Sequence, residues 1–290
     1  MTDRYPRFTG TAPGRFLTRR LGLTPLLARG ALLSPFKRPR PDAPFPRTRL
    51  VLPGVRIDSD RLAAYERVCG FPTGVDALPV TYPHVLGFPL AMRIMASREF
   101  PLPLVGLVHT SVEITQREPL APDGEYAIGV RVRELLPHRR GTEAVVVTEA
   151  HAGERLVWES TSTYLARHRT SAPAAKPPTV RAPLPALAKW HLADDLGRRY
   201  GAVSGDRNPI HLHRLTARPF GFPRAIAHGM WSVARCVAEQ PAGTAVHLRA
   251  EFGAPVLLPG TVIFAAEGGR FELRGGDRLH LRGGIRHLRE

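Results

Sequence analysis

Cysteine, acidic residues and long apolar runs are all scarce in this sequence of 290 residues. Its two cysteines, Cys69 and Cys236, are too few for a disulfide framework and lie in no Cys/His cluster with zinc spacing. Each has a valine neighbour, which is typical of a small buried thiol. We therefore expect two free thiols, no metal centre built on cysteine, and a cytosolic protein.

No run of eighteen or more apolar residues occurs, so no segment is predicted to span a membrane. Arginines interrupt the N-terminal residues, which therefore lack the continuous apolar stretch of a secretory signal. Hydrophobic residues make up 43% of the chain, enough for the core of one large domain or of two domains of ordinary size. The chain is therefore predicted to be globular.

Asp and Glu number 25 against 41 Lys and Arg, for a net charge of +16, and residues 1–50 contain eleven basic residues against only Asp3 and Asp42. Such a surface attracts polyanions, which leaves nucleic acid, an acidic membrane, an acidic carrier protein or a phosphate-bearing cofactor such as coenzyme A as alternatives. A solvated arginine-rich surface with no dedicated ligand explains the N-terminal charge equally well. The sequence shows no interleaving of aromatic and basic residues and no recognition helix, which disfavours nucleic acid.

Proline marks a boundary near the middle of the chain. Residues 167–185, RHRTSAPAAKPPTVRAPLP, contain five prolines and almost no apolar periodicity, as is typical of an exposed connection. The N-terminal residues are rich in proline and arginine, although LTPLLARGALLSPF within them favours a short helix packed on the body. We predict four segments: a basic N-terminal segment (1–48), a first repeat (49–166), a linker (167–185) and a second repeat (186–290).

The two repeats resemble each other at a nearly constant spacing. SDRLAAYERVCGF (59–71) aligns with DDLGRRYGAVSGD (194–206) at an offset of 135, and EPLAPDG (118–124) aligns with APVLLPG (254–260) at an offset of 136. The matching positions are Asp60 and Asp195, Tyr65 and Tyr200, Val68 and Val203, Gly70 and Gly205, Pro119 and Pro255, and Gly124 and Gly260. Two nearly equal offsets in the same order indicate a duplicated unit.

Each unit is predicted to consist of helices followed by strands, an α+β arrangement. In the second half, Asp194 or Asp195 can cap a helix that ends in a left-handed turn at Gly205, and a further helix follows that is the longest clear helix of the sequence. Their predicted buried faces are Leu196, Tyr200 and Val203 for the first, and Met230, Val233, Ala234 and Val237 for the second. Period-two alternation in VHLRAEF (246–252) and from Tyr126 to Val132 predicts half-buried strands.

Polar residues of three kinds lie close together in YGAVSGDRNPIH (200–211). If Gly205 ends the helix and Pro209 restricts the backbone after it, the residues from Asp206 to His211 form a turn. A turn can bring a carboxylate and an imidazole over one pocket, where they can act as an acid–base pair on a single water molecule. The segment therefore predicts Asp206 and His211 as a catalytic pair.

A structural role is the alternative interpretation, in which Asp206 and Asn208 only turn the backbone and His211 lies on the surface. The first half argues against it, since it has Phe71 at the position of Asp206 and Asp76 at the position of His211. The residues that build the fold repeat, whereas the polar pair does not. A turn that needed the pair for its shape would need it in both copies.

The same segment resembles the signature of the MaoC-like, or hydratase 2, family of (R)-specific enoyl-thioester hydratases and 3-hydroxyacyl-thioester dehydratases. The matching positions are Tyr200, Ser204, Gly205, Asp206, Asn208, Pro209, Ile210 and His211. FGFPRAIAHGMWSVA (220–234) is similar to the family's next segment, in which a His-Gly pair opens the central helix, and LAAYERVCG and VTYPHVLGFPLAM are similar to the degenerate first repeat of its two-repeat members. The resemblance implies a double hotdog, in which each repeat wraps a curved antiparallel sheet around a central helix.

The resemblance also implies the residues of the site. The dyad falls on Asp206 and His211, Asn208 would orient the water or the substrate, and the N–H of Gly229 would bind the thioester carbonyl oxygen. That N–H lies at the start of a helix, where unpaired N–H groups favour developing negative charge. Ser204 and His228 are assigned to the same substrate-binding site, although for His228 a structural role, such as capping the helix, is favoured over contact with the dyad. The implied reaction removes water reversibly from a 3-hydroxyacyl thioester and needs neither a metal nor another cofactor.

Further expectations concern the first half. Leu90 and Met92 are predicted to line a groove for the acyl chain, with a short helix leaving room for it. His84 and His109 are expected to be satisfied polar residues near the core or the surface, and Trp231 is expected to be a packing residue.

The predicted partner is an acyl thioester of coenzyme A or of an acyl carrier protein, for which the basic surface is suited. The chain is expected to be a monomer or a homodimer. A non-catalytic acyl-thioester-binding protein is the main alternative, and thioester hydrolysis is an alternative of related chemistry.

Overall fold

The computed structural model describes residues 14–17, 23–170, 182–241 and 243–288. Its helices are α1 (Leu23–Leu33), α2 (Ser59–Cys69), α3 (Tyr82–Met95), α4 (Leu196–Ser204), α5 (Pro209–Leu212), α6 (Arg214–Ala217) and α7 (Gly229–Val237), with 3-10 turns at Ser34–Phe36 and Arg218–Phe220. Its strands are β1 (Gly14–Phe16), β2 (Arg49–Arg56), β3 (Val108–Gln116), β4 (Glu125–His138), β5 (Gly141–Ala152), β6 (Arg155–Arg167), β7 (Ala186–Leu192), β8 (Val246–Phe252), β9 (Gly260–Glu267), β10 (Arg270–Gly275) and β11 (Arg278–His287). None of the helices in these ranges is long and apolar enough to cross a membrane.

All of these strands join one open sheet in the order β1-β2-β4-β5-β6-β3-β8-β11-β10-β9-β7. Outward from the β3–β8 junction, each half has the same layout: β3, β6, β5, β4 and β2 on one side, and β8, β11, β10, β9 and β7 on the other. Neighbouring strands within the halves are antiparallel, and the added strand β1 runs parallel to β2. The repeated connectivity confirms the predicted duplication and the α+β double-hotdog fold.

The two halves meet across β3 and β8, and the buried residues of β8 alternate as the sequence predicts. Val112 lies opposite Ala250, and Ile114 lies opposite Leu248. All four side chains are fully buried. Because a strand turns alternate residues to one face, this register places both apolar rows on the same inner face. The junction is therefore part of one continuous core.

The helices α3 and α7 occupy equivalent places against the inner face: α3 packs on β4 and β5, and α7 packs on β10 and β11. The prediction that the helix ending at Val237 is the longest is wrong, and so is the expectation of a short first-half helix, because α7 has nine residues and α3 has fourteen. Pro89 inside α3 conceals this helix in the sequence. Burial of the helix offsets the effect of Pro89, since eleven of its fourteen residues are buried.

Two further helices, α2 and α4, pack against each other and join the halves. Gly70 and Gly205 end them with φ of +81° and +84°, the left-handed conformation in which glycine carries no side-chain penalty. The rings of Tyr65 and Tyr200 lie 6.1 Å apart. Arg61 Nε donates to the carbonyl oxygen of Val203 at 2.6 Å. Tyr65, Tyr200 and Val203, which match between the repeats, therefore take part in this contact.

The N-terminal segment packs on the body as predicted, by way of α1 and the residues after it. Lys37 Nζ donates to the carbonyl oxygens of Ser97, Arg98 and Phe100 at 2.6–2.9 Å. Residues 1–13 and 18–22, and residues 171–181 of the predicted linker, lie outside the described residues. The bounds of the four segments stay predictions, although β2 begins at Arg49 and β7 begins at Ala186. Both cysteines are free and buried, as expected.

Trp231 connects α7 to the last turn of α2, where helix geometry leaves carbonyl groups without partners. Its Nε1–H donates to the Val68 carbonyl oxygen at 2.8 Å, and the ring is buried. We expect Trp231→Phe to lower the free energy of unfolding by about 1–3 kcal/mol, because it leaves this buried carbonyl unpaired. Denaturant unfolding measures the loss. Trp190→Phe, which changes a half-buried ring stacked on Phe264, is the control; an equal loss in both variants would contradict the assignment.

Candidate active site

The loop that carries Asp206 begins where α4 ends. Asp195 occupies the N-cap position of α4 as predicted, although its carboxylate makes no capping hydrogen bond. At the other end of the helix, Gly205 turns the chain. Ser204 Oγ then accepts a hydrogen bond from the Asp206 N–H at 3.1 Å, and the Asp206 carboxylate accepts one from the Asn208 N–H at 3.1 Å. These local bonds fix the position of the carboxylate.

Pro209 begins the short helix α5, so the expectation of a turn throughout Asp206 to His211 is wrong for its second half. Proline suits the first position of a helix, where its missing N–H would have no intrahelical acceptor. Asn208 is the N-cap, and its Oδ1 accepts from the Ile210 N–H at 3.4 Å. His211 therefore lies on a helix that approaches α4 from one side.

His211 is buried, and one ring nitrogen is committed to the backbone. Nδ1 lies 2.8 Å from the carbonyl oxygen of Ile226. A carbonyl oxygen can only accept, so Nδ1 carries the hydrogen and the neutral ring presents a lone pair at Nε2. The Ile226 N–H in turn donates to the carbonyl oxygen of Ile210 at 3.0 Å. These bonds tie α5 to the segment that leads into α7.

His228, the residue before α7, contacts both members of the predicted dyad. Its ring stacks on His211 with centroids 3.7 Å apart, and its Nε2–H donates to the backbone carbonyl oxygen of Asp206 at 2.8 Å. The same nitrogen lies 3.8 Å from Asp206 Oδ2. Its Nδ1 is buried and has no hydrogen-bond partner among the described residues. Although His228 holds the N-cap position of α7, its side chain does not cap the helix.

One atom from each of Asp206, His211 and His228 lies within 4.8 Å of the other two. Both histidines are buried, whereas 26% of the Asp206 side chain remains exposed, so the cluster is reached from the Asp206 side. Burial raises the pKa of Asp206, although His211 and the Asn208 N–H oppose the shift. Burial lowers the pKa of His211, against the effect of the Asp206 carboxylate. The pKa of His228 lies well below the ordinary value because of burial and the adjacent His211.

Two glycines of α4, which the sequence interpretation missed, allow this cluster to form. A Cβ at Gly197 would overlap the carbonyl oxygen of His211, and a Cβ at Gly201 would lie 2.8 Å from the carbonyl oxygen of Asp206. Glycine inside a helix costs about 1 kcal/mol relative to alanine. The sequence LGRRYG has glycines four positions apart, on one face of the helix. This spacing is the pattern that could have indicated another backbone crossing that face.

Gly229 is the first residue of α7, as predicted for the N–H that would bind a carbonyl oxygen. The first N–H groups of a helix have no intrahelical acceptors and lie at its positive end. A Cβ at Gly229 would lie 2.8 Å from Phe252 Cε1, so the ring of Phe252 approaches the backbone there closely. Gly229 follows His228 directly and is therefore adjacent to the Asp206 and His211 cluster.

The first half places aromatic and imidazole rings near the same site. His109 stacks on Tyr164 with centroids 4.5 Å apart and packs on Phe252 at 4.7 Å. The expectation that His84 and His109 are satisfied polar residues is wrong, because His84 Nδ1 and His109 Nε2 are buried without partners among the described residues. No pattern in the sequence indicates this, since the two histidines lie far from the signature.

Leu90 and Met92 are buried in the apolar core on α3. Their role in an acyl groove stays a prediction, as do the substrate roles assigned to Ser204, Asn208, Gly229 and His228.

Among the described residues, Asp206, His211 and His228 form a group whose nitrogen and oxygen atoms are close enough together to hold a metal ion. Two of the four ring nitrogens already bond to backbone carbonyls.

Known proteins share both this sequence pattern and this fold. A profile of the MaoC like domain matches residues 172–275, which include the whole cluster. The 3-hydroxyacyl-thioester dehydratase X of Mycobacterium tuberculosis is 37% identical over 258 residues, which are 87% of this chain and 91% of that protein. The chain belongs to the MaoC-like dehydratase family.

Solved structures agree with this assignment. The crystal structure of HtdX of M. tuberculosis superposes with a TM-score of 0.72 at 34% identity and covers 83% of this MaoC-like chain and all of the other. A MaoC-like dehydratase of Phytophthora capsici superposes with a TM-score of 0.66, covering 86% of this chain and 97% of the other, but at 16% identity it supports the fold alone. The likeness spans both halves, so the family relationship extends beyond the signature.

Gly197→Ala tests the close approach of α4 to the cluster. The added methyl group gains helix propensity but must push the His211 backbone away, and we expect up to about a 100-fold loss of catalytic efficiency from the displaced imidazole. Steady-state kinetics on the folded variant measure it. Ala202→Leu, on the exposed side of the same helix, is the matched control. Full activity in Gly197→Ala would show that the contact does not position His211.

Proposed function

We propose that this MaoC-like protein is an (R)-specific 3-hydroxyacyl-thioester dehydratase of fatty-acid metabolism, which also catalyses the reverse hydration of enoyl thioesters. One observation carries the proposal: Asp206 and His211, both from the signature segment, come within 4.8 Å of each other beside the N-terminus of α7. Its support from relatives is the 37% identity to a protein named 3-hydroxyacyl-thioester dehydratase X.

His211 is proposed as the base. Its Nδ1–H is held by the Ile226 carbonyl, so the lone pair of the neutral ring lies on Nε2, which accepts the proton from C2 of the substrate. Burial lowers the pKa of His211 and therefore keeps the ring in this neutral form at pH values where a free imidazole begins to be protonated. A general base contributes about a hundredfold to ten-thousandfold to the rate.

The Gly229 N–H is proposed to bind the thioester carbonyl oxygen. Removal of the C2 proton moves negative charge onto that oxygen, and a donor at the positive end of a helix stabilises the charge as it develops. The backbone places this N–H next to His228, which contacts both members of the dyad. The group proposed to bind the thioester carbonyl oxygen and the base proposed to accept the C2 proton are therefore neighbours.

Asp206 is proposed as the acid. As the C2–H electron pair forms the double bond, the C3–O bond breaks and the Asp206 carboxylic acid gives its proton to the departing hydroxyl group, which leaves as water. The protonated His211 then returns a proton to the Asp206 carboxylate and restores the pair. Burial raises the pKa of Asp206, which favours the acid form that this step needs. Hydration follows the same steps in reverse.

Variants of the dyad test the assignment in a hydration assay with crotonyl-, octenoyl- and dodecenoyl-CoA. Asp206→Asn and His211→Gln are each expected to lose at least about a hundredfold in kcat. Asp194→Asn and His213→Asn, which change exposed residues of the same region, are the controls. Measurement with EDTA present throughout also tests the prediction that no metal is needed.

The outcomes separate the candidate functions. Binding of acyl-CoA without loss of enoyl absorbance by the unmodified protein would favour the non-catalytic alternative, and release of free thiol would favour hydrolysis. Wild-type activity in both dyad variants would remove the site from consideration.

The pH dependence of the activity is expected to follow the lowered pKa of His211. The base form of His211 is lost when its ring is protonated, and burial lowers the pKa for that event below the ordinary value of 6.5. Activity should therefore fall as the pH decreases through an apparent pKa that lies below 6.5. The pH profile of kcat/KM measures it. An acidic limb centred above 6.5 would contradict a buried, neutral base.

The proposal also covers the carrier of the substrate, the cellular location and the oligomeric state. We propose coenzyme A or an acyl carrier protein as the carrier, on the basis of the net charge of +16, and a cytosolic location, on the basis of two buried free thiols. A double hotdog holds both repeats in one chain, so a monomer or a homodimer is proposed as the working form.

A further inference from the structure

A row of rings from the first half crosses the site of the second half. Tyr164 on β6 stacks on His109 on β3 with an interplanar angle of 18°, and His109 packs on Phe252 of β8. Phe252 lies against Gly229, where an added Cβ would be 2.8 Å from its ring. At the other end of the row, burial and, to a smaller extent, the Asp206 carboxylate raise the pKa of the Tyr164 phenol. The row therefore begins beside the proposed carbonyl site and ends at a phenol that interacts electrostatically with the proposed acid.

A β-bulge in β3 turns His109 toward this site. The register between β3 and β6 shifts between His109 and Ser111, so Thr110 is the extra residue. With regular alternation from the buried Val112, His109 would point to the outer face; the extra residue returns it to the inner face. Its ring accordingly faces His84 of α3, which packs on that side, with centroids 6.1 Å apart.

Each imidazole of this pair has one nitrogen without a hydrogen-bond partner among the described residues. His109 Nε2 and His84 Nδ1 are buried and lack hydrogen-bond partners among the described residues, and His84 is 8% exposed. Leaving a buried polar atom unpaired costs about 1–3 kcal/mol. Burial and the neighbouring His84 lower the pKa of His109 to about 3, whereas a hydrogen bond to the Ser111 backbone opposes the shift. A bond that raises an imidazole pKa is one in which the ring N–H donates, so Nδ1 is the donor and Nε2 keeps its lone pair.

We propose that His109 is a substrate-binding residue, whose Nε2 accepts a hydrogen bond from the 3-hydroxyl group of the hydroxyacyl thioester. The inference rests on the proposed function. The hydroxyl oxygen must receive a proton from Asp206 as it leaves, so its own hydrogen has to point elsewhere. An acceptor other than Asp206 holds that hydrogen and leaves an oxygen lone pair for the proton from Asp206. In hydration, the same nitrogen holds the second hydrogen of the attacking water.

The test compares His109→Phe, which keeps the stacked ring but removes both nitrogens, with His109→Gln, whose amide oxygen can accept a hydrogen bond near the place of Nε2. We expect His109→Phe to lose about tenfold in kcat/KM, equivalent to one hydrogen bond, with little change in thermal stability, because removal of the unpaired Nε2 offsets the lost Nδ1 hydrogen bond to the Ser111 backbone. His109→Gln should restore most of the activity. The pH profile of His109→Phe should keep its acidic limb, since a group with a pKa of about 3 does not titrate in that range.

Gln116→Leu is the matched control, because Gln116 is a buried polar residue on the same strand, about 20 Å from His109. Full activity in His109→Phe, or an equal loss in His109→Phe and His109→Gln, would overturn the proposal. Asp206→Asn is measured in parallel. If the unmodified protein shows no hydratase activity, the proposed function itself fails; if Asp206→Asn is inactive while His109→Phe is unaffected, only the role of His109 fails.

Discussion

The close contact between α4 and the backbone of residues 206–211 is the constraint on which the site depends. The carbonyl oxygens of Asp206 and His211 occupy space that side chains at Gly201 and Gly197 would fill. Because these two helical positions carry no Cβ, the loop and α5 lie directly on α4. The imidazole of His211 then reaches the Ile226 carbonyl, and that bond leaves the lone pair of the neutral ring on Nε2. The two glycines lower the helix propensity of α4, but they allow the side chains of Asp206 and His211 to converge.

The duplicated fold separates packing from chemistry. The positions that repeat, such as Tyr65 with Tyr200 and Gly70 with Gly205, build the α2–α4 contact and the turns at its ends. The Asp206 and His211 pair occurs only in the second half, and the first half contributes His109, which packs on Phe252 across the β3–β8 junction, and Tyr164, which stacks on His109. The second repeat alone would lack the rings of Tyr164 and His109. This provides a physical reason for the two repeats to remain in one chain.

Buried polar atoms without partners among the described residues gather around this site, in His84, His109 and His228. Each lowers stability, because burial removes water without supplying a protein partner. Burial also keeps the imidazoles neutral, as the lowered pKa values of His109 and His211 indicate. Neutral rings can accept hydrogen bonds and protons, which the proposed dehydration requires. The stability that these groups cost is consistent with a site arranged for a substrate.

The sequence alone determined the duplication, the α+β class, the helix end at Gly205 and the candidate pair Asp206 and His211. Each of these is a local pattern or a repeated spacing, and local patterns are set by nearby backbone geometry and burial. The length of α3 was predicted wrongly because tertiary burial outweighs the effect of Pro89. The contact of His228 with the dyad, the fit of Gly197 against His211 and the approach of His109 to Phe252 were decided only by the tertiary structure. They join residues from different elements, and no spacing along the chain encodes the distance between two elements that the fold brings together.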